Sequence, residues 1–352
     1  MSDTAQRADT ALGLPPPGRS TPPALAALRR GLAFAGKQRE ATVLVVVVLL
    51  IVYFGFISSA GRGSFLGSVN LVNLSQVAAP IMIIAVAEVM LLICGEIDLS
   101  PGFVYSFAPF LMYFLITYHG FPVIAAIIVS LLMGLFVGWV NGFLTVTLGL
   151  PSFITTLGTG FALEGITLST SNATQASPPP NSLYIGSFLG NNGYAEIIWA
   201  VIIVVIFHII LLRTRWGLHT IAVGSNQLGA REAGINVGRI KYGNFMVSGV
   251  LGAFVGIQIA FQTNVIDPSA GGYQPMFYAV AAAVIGGTAM LGGSGTIIGA
   301  LLGSVMLAVL TNGFQVIGIS AYPLDIIFGG AILIAMIANI QLTKLRSSGR
   351  QR

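Results

Sequence analysis

The sequence predicts an all-α integral membrane protein with about ten transmembrane helices of roughly 20 residues each. Three observations carry that expectation. Charged residues make up 8% of the chain, against about 25% in soluble domains. Hydrophobic residues reach 55% and Gly numbers 44, a mixture suited to packed membrane helices, whose small residues let backbones approach. Finally, neither Lys nor Arg occurs from Gly63 to Leu212 or from Tyr242 to Thr343. Stretches of that length could not form a water-soluble surface, and each can hold several spans.

Residues 1–42 carry Arg7, Arg19, Arg29, Arg30, Lys37 and Arg39 together with LPPPGRSTPP. That composition predicts a disordered cytoplasmic tail rather than a cleaved signal peptide. The transmembrane domain is expected over 43–342. Its first span is ATVLVVVVLLIVYFGFIS, and the next four lie near 72–94, 102–118, 122–146 and 152–171. A polar loop without lysine, SNATQASPPPNSLYIGSFLGNNG, precedes a sixth span near 195–212. The following loop, 213–241, holds Arg213, Arg215, Arg231, Arg239 and Lys241. Four further segments lie near 244–264, 277–291, 295–313 and 323–342, and the tail 343–352 ends in Lys344, Arg346, Arg350 and Arg352.

Positive loops stay cytoplasmic, so both tails and the 213–241 loop are expected on that side. Parity agrees, with six segments before the loop and four after it. The halves 43–171 and 195–342 hold five segments each, and an odd number per half would invert one half relative to the other. At 277–313, crowded by Gly286, Gly287, Gly292, Gly293, Gly295, Gly299 and Gly303, one long hairpin and two broken helices both fit.

Several chemistries are disfavoured. The lone Cys94 leaves no intramolecular disulfide framework or multi-cysteine metal site, and His119, His208 and His219 are scattered. Basic residues flank apolar segments, so the net charge of +5 reads as membrane orientation rather than nucleic-acid binding. No G-x-x-x-x-G-K-[ST] stretch occurs, since Gly36-Lys37 is followed by Gln38. A membrane-embedded enzyme is disfavoured because no His, Asp and Glu cluster has ligand spacing.

Two regions remain as candidates. Cys94-Gly95-Glu96-Ile97-Asp98-Leu99-Ser100-Pro101-Gly102 interrupts two apolar runs, and its Gly and Pro prevent one continuous helix. The plainer reading is an interhelical turn with a solvated acidic pair. In the 213–241 loop, Ser225 is expected to cap a short helix beginning at Asn226, and Gly234 to end it after Ala233. Small Ala230 and Ala233 would let that helix seat in a partner's groove, whereas the plainer reading is a topogenic basic loop. Glu88 and Glu164 lie within apolar spans, where a charge costs about 3 kcal/mol or more, so each either faces a pathway or is a hydrogen-bonded packing residue.

GEIDLSPG resembles a stretch of permease subunits from bacterial ABC importers of the ribose/xylose/arabinose type. So do LGLPSFITTLGT at 148–159, IAVGSNQLGAREAGINVGRIK at 221–241, SGVLGAFVG at 248–256 and AVIGGTAMLGGSGTIIGALLG at 283–303. Glu96 and Pro101 depart from the residues usual there, Gly and Val. The resemblance implies a monosaccharide translocation subunit with no catalytic residues, cofactor or metal of its own. It further implies a second permease copy or paralogue, two ATPase subunits that bind ATP and Mg, and an extracytoplasmic sugar-binding protein, with this chain in the bacterial cytoplasmic (inner) membrane. By the same resemblance, Gly224, Asn226, Ala230, Arg231, Gly234 and Ile235 belong to a coupling helix resting on the ATPase. Glu88, Glu96, Asp98, Ser100, Glu164 and Tyr273 are the candidates for the translocation pathway. Tyr105, Phe107, Tyr113, Tyr273, Phe277 and Tyr278 offer faces for sugar rings, of which two or three are expected to line it. Related permeases carry branched-chain amino acids or nucleosides, and an ion-coupled secondary transporter is the rival of another class.

Overall fold

The computed structural model describes residues 39–58, 63–319, 326, 329, 330 and 333. The Pro-rich tail, most of the segment 323–342 and the basic tail 343–352 lie outside the described residues. Helix α1 (Arg39–Val52) continues through a π turn at Tyr53–Ile57. It is followed by α2 (Ser68–Ile93), α3 (Pro101–His119), α4 (Val123–Gly142) with a π turn at Phe143–Thr147, and α5 (Ser152–Ser171). Beyond a short α6 (Leu183–Leu189) come α7 (Ala195–Arg213), α8 (Arg215–Ser225) and α9 (Gln227–Glu232). The last three described are α10 (Val237–Thr263), α11 (Tyr273–Ile285) and α12 (Ile297–Val316). The described residues are all-α apart from one isolated bridge, Ala176 to Ile266.

Seven of these helices are long and apolar enough to cross a membrane. Two expected spans fall outside that set for different reasons. Helix α5 has the length, with 20 residues, but its Thr, Ser and Gly content makes it too polar. Helix α11 is apolar but only 13 residues long. The glycine-rich block between α11 and α12 is a turn that joins two separate helices. The loop after α5 is less open than its composition suggests: α6 lies in it, and the Gln258 side-chain amide donates to the Leu189 carbonyl at 3.1 Å.

Helices α2 and α10 form the centre, with 83% and 72% of their apolar windows buried, while α1 reaches 22% at the periphery. Helix α10 packs most extensively on α4 and α3, and α2 packs on α12, α11 and α7. Lipid tails supply no hydrophobic drive for such contacts, so close backbone packing must hold them. Gly134 and Gly138 of α4 face Gly249 and Phe245 of α10 so closely that an added Cβ would overlap backbone atoms.

Candidate transport site and coupling loop

The turn after α2 closes in two steps. Gly95 takes φ +77° and donates to the Leu92 carbonyl at 2.9 Å, and Glu96 N–H donates to Leu91 at 3.0 Å. These two bonds satisfy carbonyls that the helix end would otherwise leave unpaired. The chain then turns back as an extended, non-helical segment pinned to the first turns of α5. Ile97 N–H donates to Ser152 Oγ at 3.3 Å and Leu99 N–H to Thr156 Oγ1 at 3.0 Å.

Asp98 and Ser100 are fully buried. Asp98 Oδ1 accepts from the Ser100 N–H at 2.9 Å, the Ser100 hydroxyl at 2.7 Å and Asn141 Nδ2 at 3.4 Å. Asn141 also donates to Ser100 Oγ at 2.8 Å and accepts from Thr159 at 2.7 Å. The other Asp98 oxygen has no hydrogen-bond partner, and Ser248 of α10 lies beside the carboxyl. Glu88, also fully buried, faces Asp98. The solvated-turn reading of this segment is therefore wrong in one respect: its acidic pair is split. Asp98 turns into the protein, and Glu96 forms an ion pair of 2.5 Å with Lys241 of α10, both side chains 12% exposed.

Removing three donors' acceptor should be costly. Asp98→Ala is expected to lose about 1.5–3 kcal/mol, read as a lower melting temperature of the purified protein. Asp98→Asn keeps one carbonyl acceptor and is expected to assemble while uptake falls. Unchanged melting and unchanged uptake would reduce the network to incidental packing.

The 213–241 region holds more structure than expected. Its first half is the helix α8, whose last residue is Ser225. Ser225 therefore does not cap α9: its hydroxyl donates to the Gly293 carbonyl at 3.3 Å, and Asn226 caps instead, accepting from Gly229 N–H at 3.0 Å. Gly234 ends α9 as expected, with φ +81°. Ala230 is buried against Val223, Val237, Ile240 and Cys94, with Ile235 packed on the same cluster. Its small side chain seats α9 on this chain, so the surface left to a partner carries Leu228, Arg231 and Glu232, all exposed. Arg239 and Lys241 lie in the first turns of α10, not in a loop.

Three links tie this region to the end of α2. Gly224 lies so close to the Ile93 carbonyl that an added Cβ would overlap it and come within 2.8 Å of Gly293 N. Gly293 N–H donates to that carbonyl at 2.9 Å. Asn244 bridges Trp216 of α8, which donates to it at 2.9 Å, to the Met90 carbonyl at 3.1 Å.

The two remaining pathway candidates lie elsewhere. Glu164 is half-buried on α5, and Tyr273, also half-buried, opens α11 close to it. Phe103, Phe161 and Phe277 surround Tyr273 at ring-centroid distances of 5.0, 5.7 and 6.0 Å. The sequence reading missed Asn141, Lys241, Phe103 and Phe161. A lone Asn within an apolar span was a usable signal, whereas Lys241 had been absorbed into the topogenic charge and the two Phe residues into ordinary apolar content.

A bundle of apolar helices around a buried, hydrogen-bonded break in the chain defines a multi-pass membrane protein. Residues 70–337 match the family described as "Branched-chain amino acid transport system / permease component", and the chain belongs to it. It is a transport component of the ABC permease type. It is 37% identical to the xylose/arabinose import permease protein of Sulfolobus acidocaldarius, over 86% of this chain and 85% of that one. Similarity also extends to the fructose import permease protein of Rhizobium meliloti, 29% identical over 89% of this chain and 88% of that one. The autoinducer 2 import system permease protein of Escherichia coli is 32% identical over 87% and 88%. No solved structure gives a significant match.

Proposed function

We propose that this chain is the membrane-spanning subunit of an ATP-driven importer carrying a monosaccharide of the ribose/xylose kind across the bacterial cytoplasmic membrane. The observation that carries this reading is the non-helical segment 94–100, whose Asp98, Leu99 and Ser100 are buried and whose polar atoms are largely engaged. Such backbone is tolerated inside a membrane only where protein or a cavity surrounds it. The sugar class is supported by the xylose/arabinose and fructose permeases that the chain resembles along most of its length.

On this reading ATP and Mg are bound by two separate ATPase subunits. A second permease copy or paralogue completes the pathway, and an extracytoplasmic binding protein delivers the sugar. Both tails and residues 213–241 face the cytoplasm, consistent with their basic charge. Helix α9, with Gly224, Asn226, Ala230, Arg231, Gly234 and Ile235, transmits ATPase movement. The links from Gly224 and Asn244 to the end of α2 supply its route to Asp98 and Ser100.

The test is reconstitution in proteoliposomes with the partner ATPase and binding protein. Ribose or xylose uptake is expected only with ATP on the face carrying residues 213–241 and binding protein on the other. Leucine and a nucleoside serve as competing cargo. Uptake of either of these instead of a sugar would overturn the substrate class, and uptake driven by an ion gradient without ATP would overturn the transport class.

A further inference from the structure

We propose that the point where α3 and α11 begin is a monosaccharide contact site, built by Phe161, Glu164, Tyr273 and Phe277 over a floor of Phe103. The inference rests on the sugar-permease reading and adds to it a location and a chemistry. Two non-helical segments end at this point, 94–100 before α3 and 264–272 before α11. They meet backbone to backbone: Gly272 N–H donates to the Gly102 carbonyl at 2.9 Å, and a Cβ on Gly102 would overlap the Gly272 carbonyl.

Depth follows from α11. Its 13 residues cover about 20 Å at 1.5 Å per residue, running from Tyr273 towards the turn that touches Ile93 and Ser225. With that turn at the cytoplasmic boundary, where the basic region 213–241 places it, a hydrocarbon layer of about 30 Å puts the meeting point inside the membrane. Discontinuous helices at that depth are where transporters commonly build binding sites.

The side chains there suit a neutral polyol. Phe103 is 1% exposed and closes the base, whereas Phe161 and Phe277 are 52% and 53% exposed and leave ring surface open, Phe277 with one face stacked on Tyr273. Glu164 stands one helical turn from Phe161 on the same face of α5. A carboxyl on that face argues against lipid as its neighbour. The Tyr273 hydroxyl, close to Glu164, is shielded and has no hydrogen-bond partner. Gly158 and Gly165 have nothing within 4 Å of where a Cβ would stand, so room remains along α5. Aromatic faces can take the C–H side of a sugar ring, and a carboxylate can accept two neighbouring hydroxyls. An amino-acid cargo fits less well, because no Lys or Arg occurs from Gly63 to Leu212 or from Tyr242 to Thr343 to meet its carboxylate.

The test uses the complete transporter in detergent without the binding protein. Binding of xylose and ribose is followed by saturation-transfer NMR and competition with unlabelled sugar. Phe161→Leu and Glu164→Gln are each expected to weaken binding tenfold or more. Phe161→Tyr, which keeps a ring, should bind as the unaltered complex does. Melting temperature should not move. If the unaltered complex transports sugar while the Leu and Gln variants bind and transport it unchanged, this site is wrong and the permease reading stands. If sugar is transported but no binding is seen in any complex, the site is equally refuted. If no sugar is transported by the unaltered complex, the reading beneath the site has failed.

Discussion

Gly224→Val is expected to abolish coupled transport and lower the melting temperature of the permease, while the protein still inserts in the membrane. Gly224 closes α8 against the carbonyl of Ile93, the last residue of α2, and an added side chain would overlap that oxygen. Neither side can yield easily. The Ile93 carbonyl is held by Gly293 N–H at 2.9 Å, and the Gly293 carbonyl accepts from Ser225. Overpacking of this kind costs about 1–3 kcal/mol or more, and relief requires α8 to lift from α2. Lifting it would separate α9 from the segment that carries Asp98. Thermal unfolding and sugar-stimulated ATP turnover of the reconstituted complex measure the two effects. Wild-type values for both would show that α8 and α2 are not rigidly joined.

Arg231→Glu and Gly234→Val are expected to uncouple the transporter by different routes. Gly234 sits at φ +81°, and its N–H donates to Arg231 while Ile235 N–H donates to Ala230, both at 2.9 Å. The pair closes α9, and Ile235 packs on the cluster containing Ala230, as the hydrophobic contact of this motif requires. A left-handed residue other than Gly costs about 1–2 kcal/mol, and β-branched Val more. The Val variant should therefore fray the end of α9 and shift the start of α10, where Lys241 holds Glu96. Arg231 is exposed, so its reversal is expected to leave the fold intact and to act only on a partner. Both variants should reach the membrane and lose stimulated ATP turnover, with Arg231→Glu retaining the unaltered melting temperature. If Arg231→Glu keeps full stimulation, α9 does not face the ATPase through this residue.

The end of α9 was legible because a single residue decides it: Gly234 has no Cβ to resist a left-handed turn. Its beginning was misplaced by one residue. Ser225 and Asn226 are both good caps, and the choice fell to Asn226 because Ser225 ends a preceding helix and bonds to Gly293. That helix, α8, was hidden in a loop recognised only by its charges. Ala230 was read as small to admit a partner, yet the space it leaves is occupied by Val223, Val237 and Ile240 of the same chain.

The membrane spans themselves could be read from residues in sequence, because solvation in hydrocarbon acts on each residue nearly alone. Absence of Lys and Arg over long stretches and runs of apolar side chains were enough for α1 to α4, α7, α10 and α12. So was the break at Gly95 to Pro101, since Gly and Pro act on their own backbone. The destination of that broken segment was a tertiary matter. Which way Glu96 and Asp98 point depends on Lys241, Asn141, Ser152 and Thr156, and these come from three other helices. The meeting of Gly102 with Gly272 joins residues 170 positions apart in the chain. Burial and hydrogen bonding between remote segments, rather than local propensity, placed the aromatic cluster beside Glu164 and the α8–α9 region against α2.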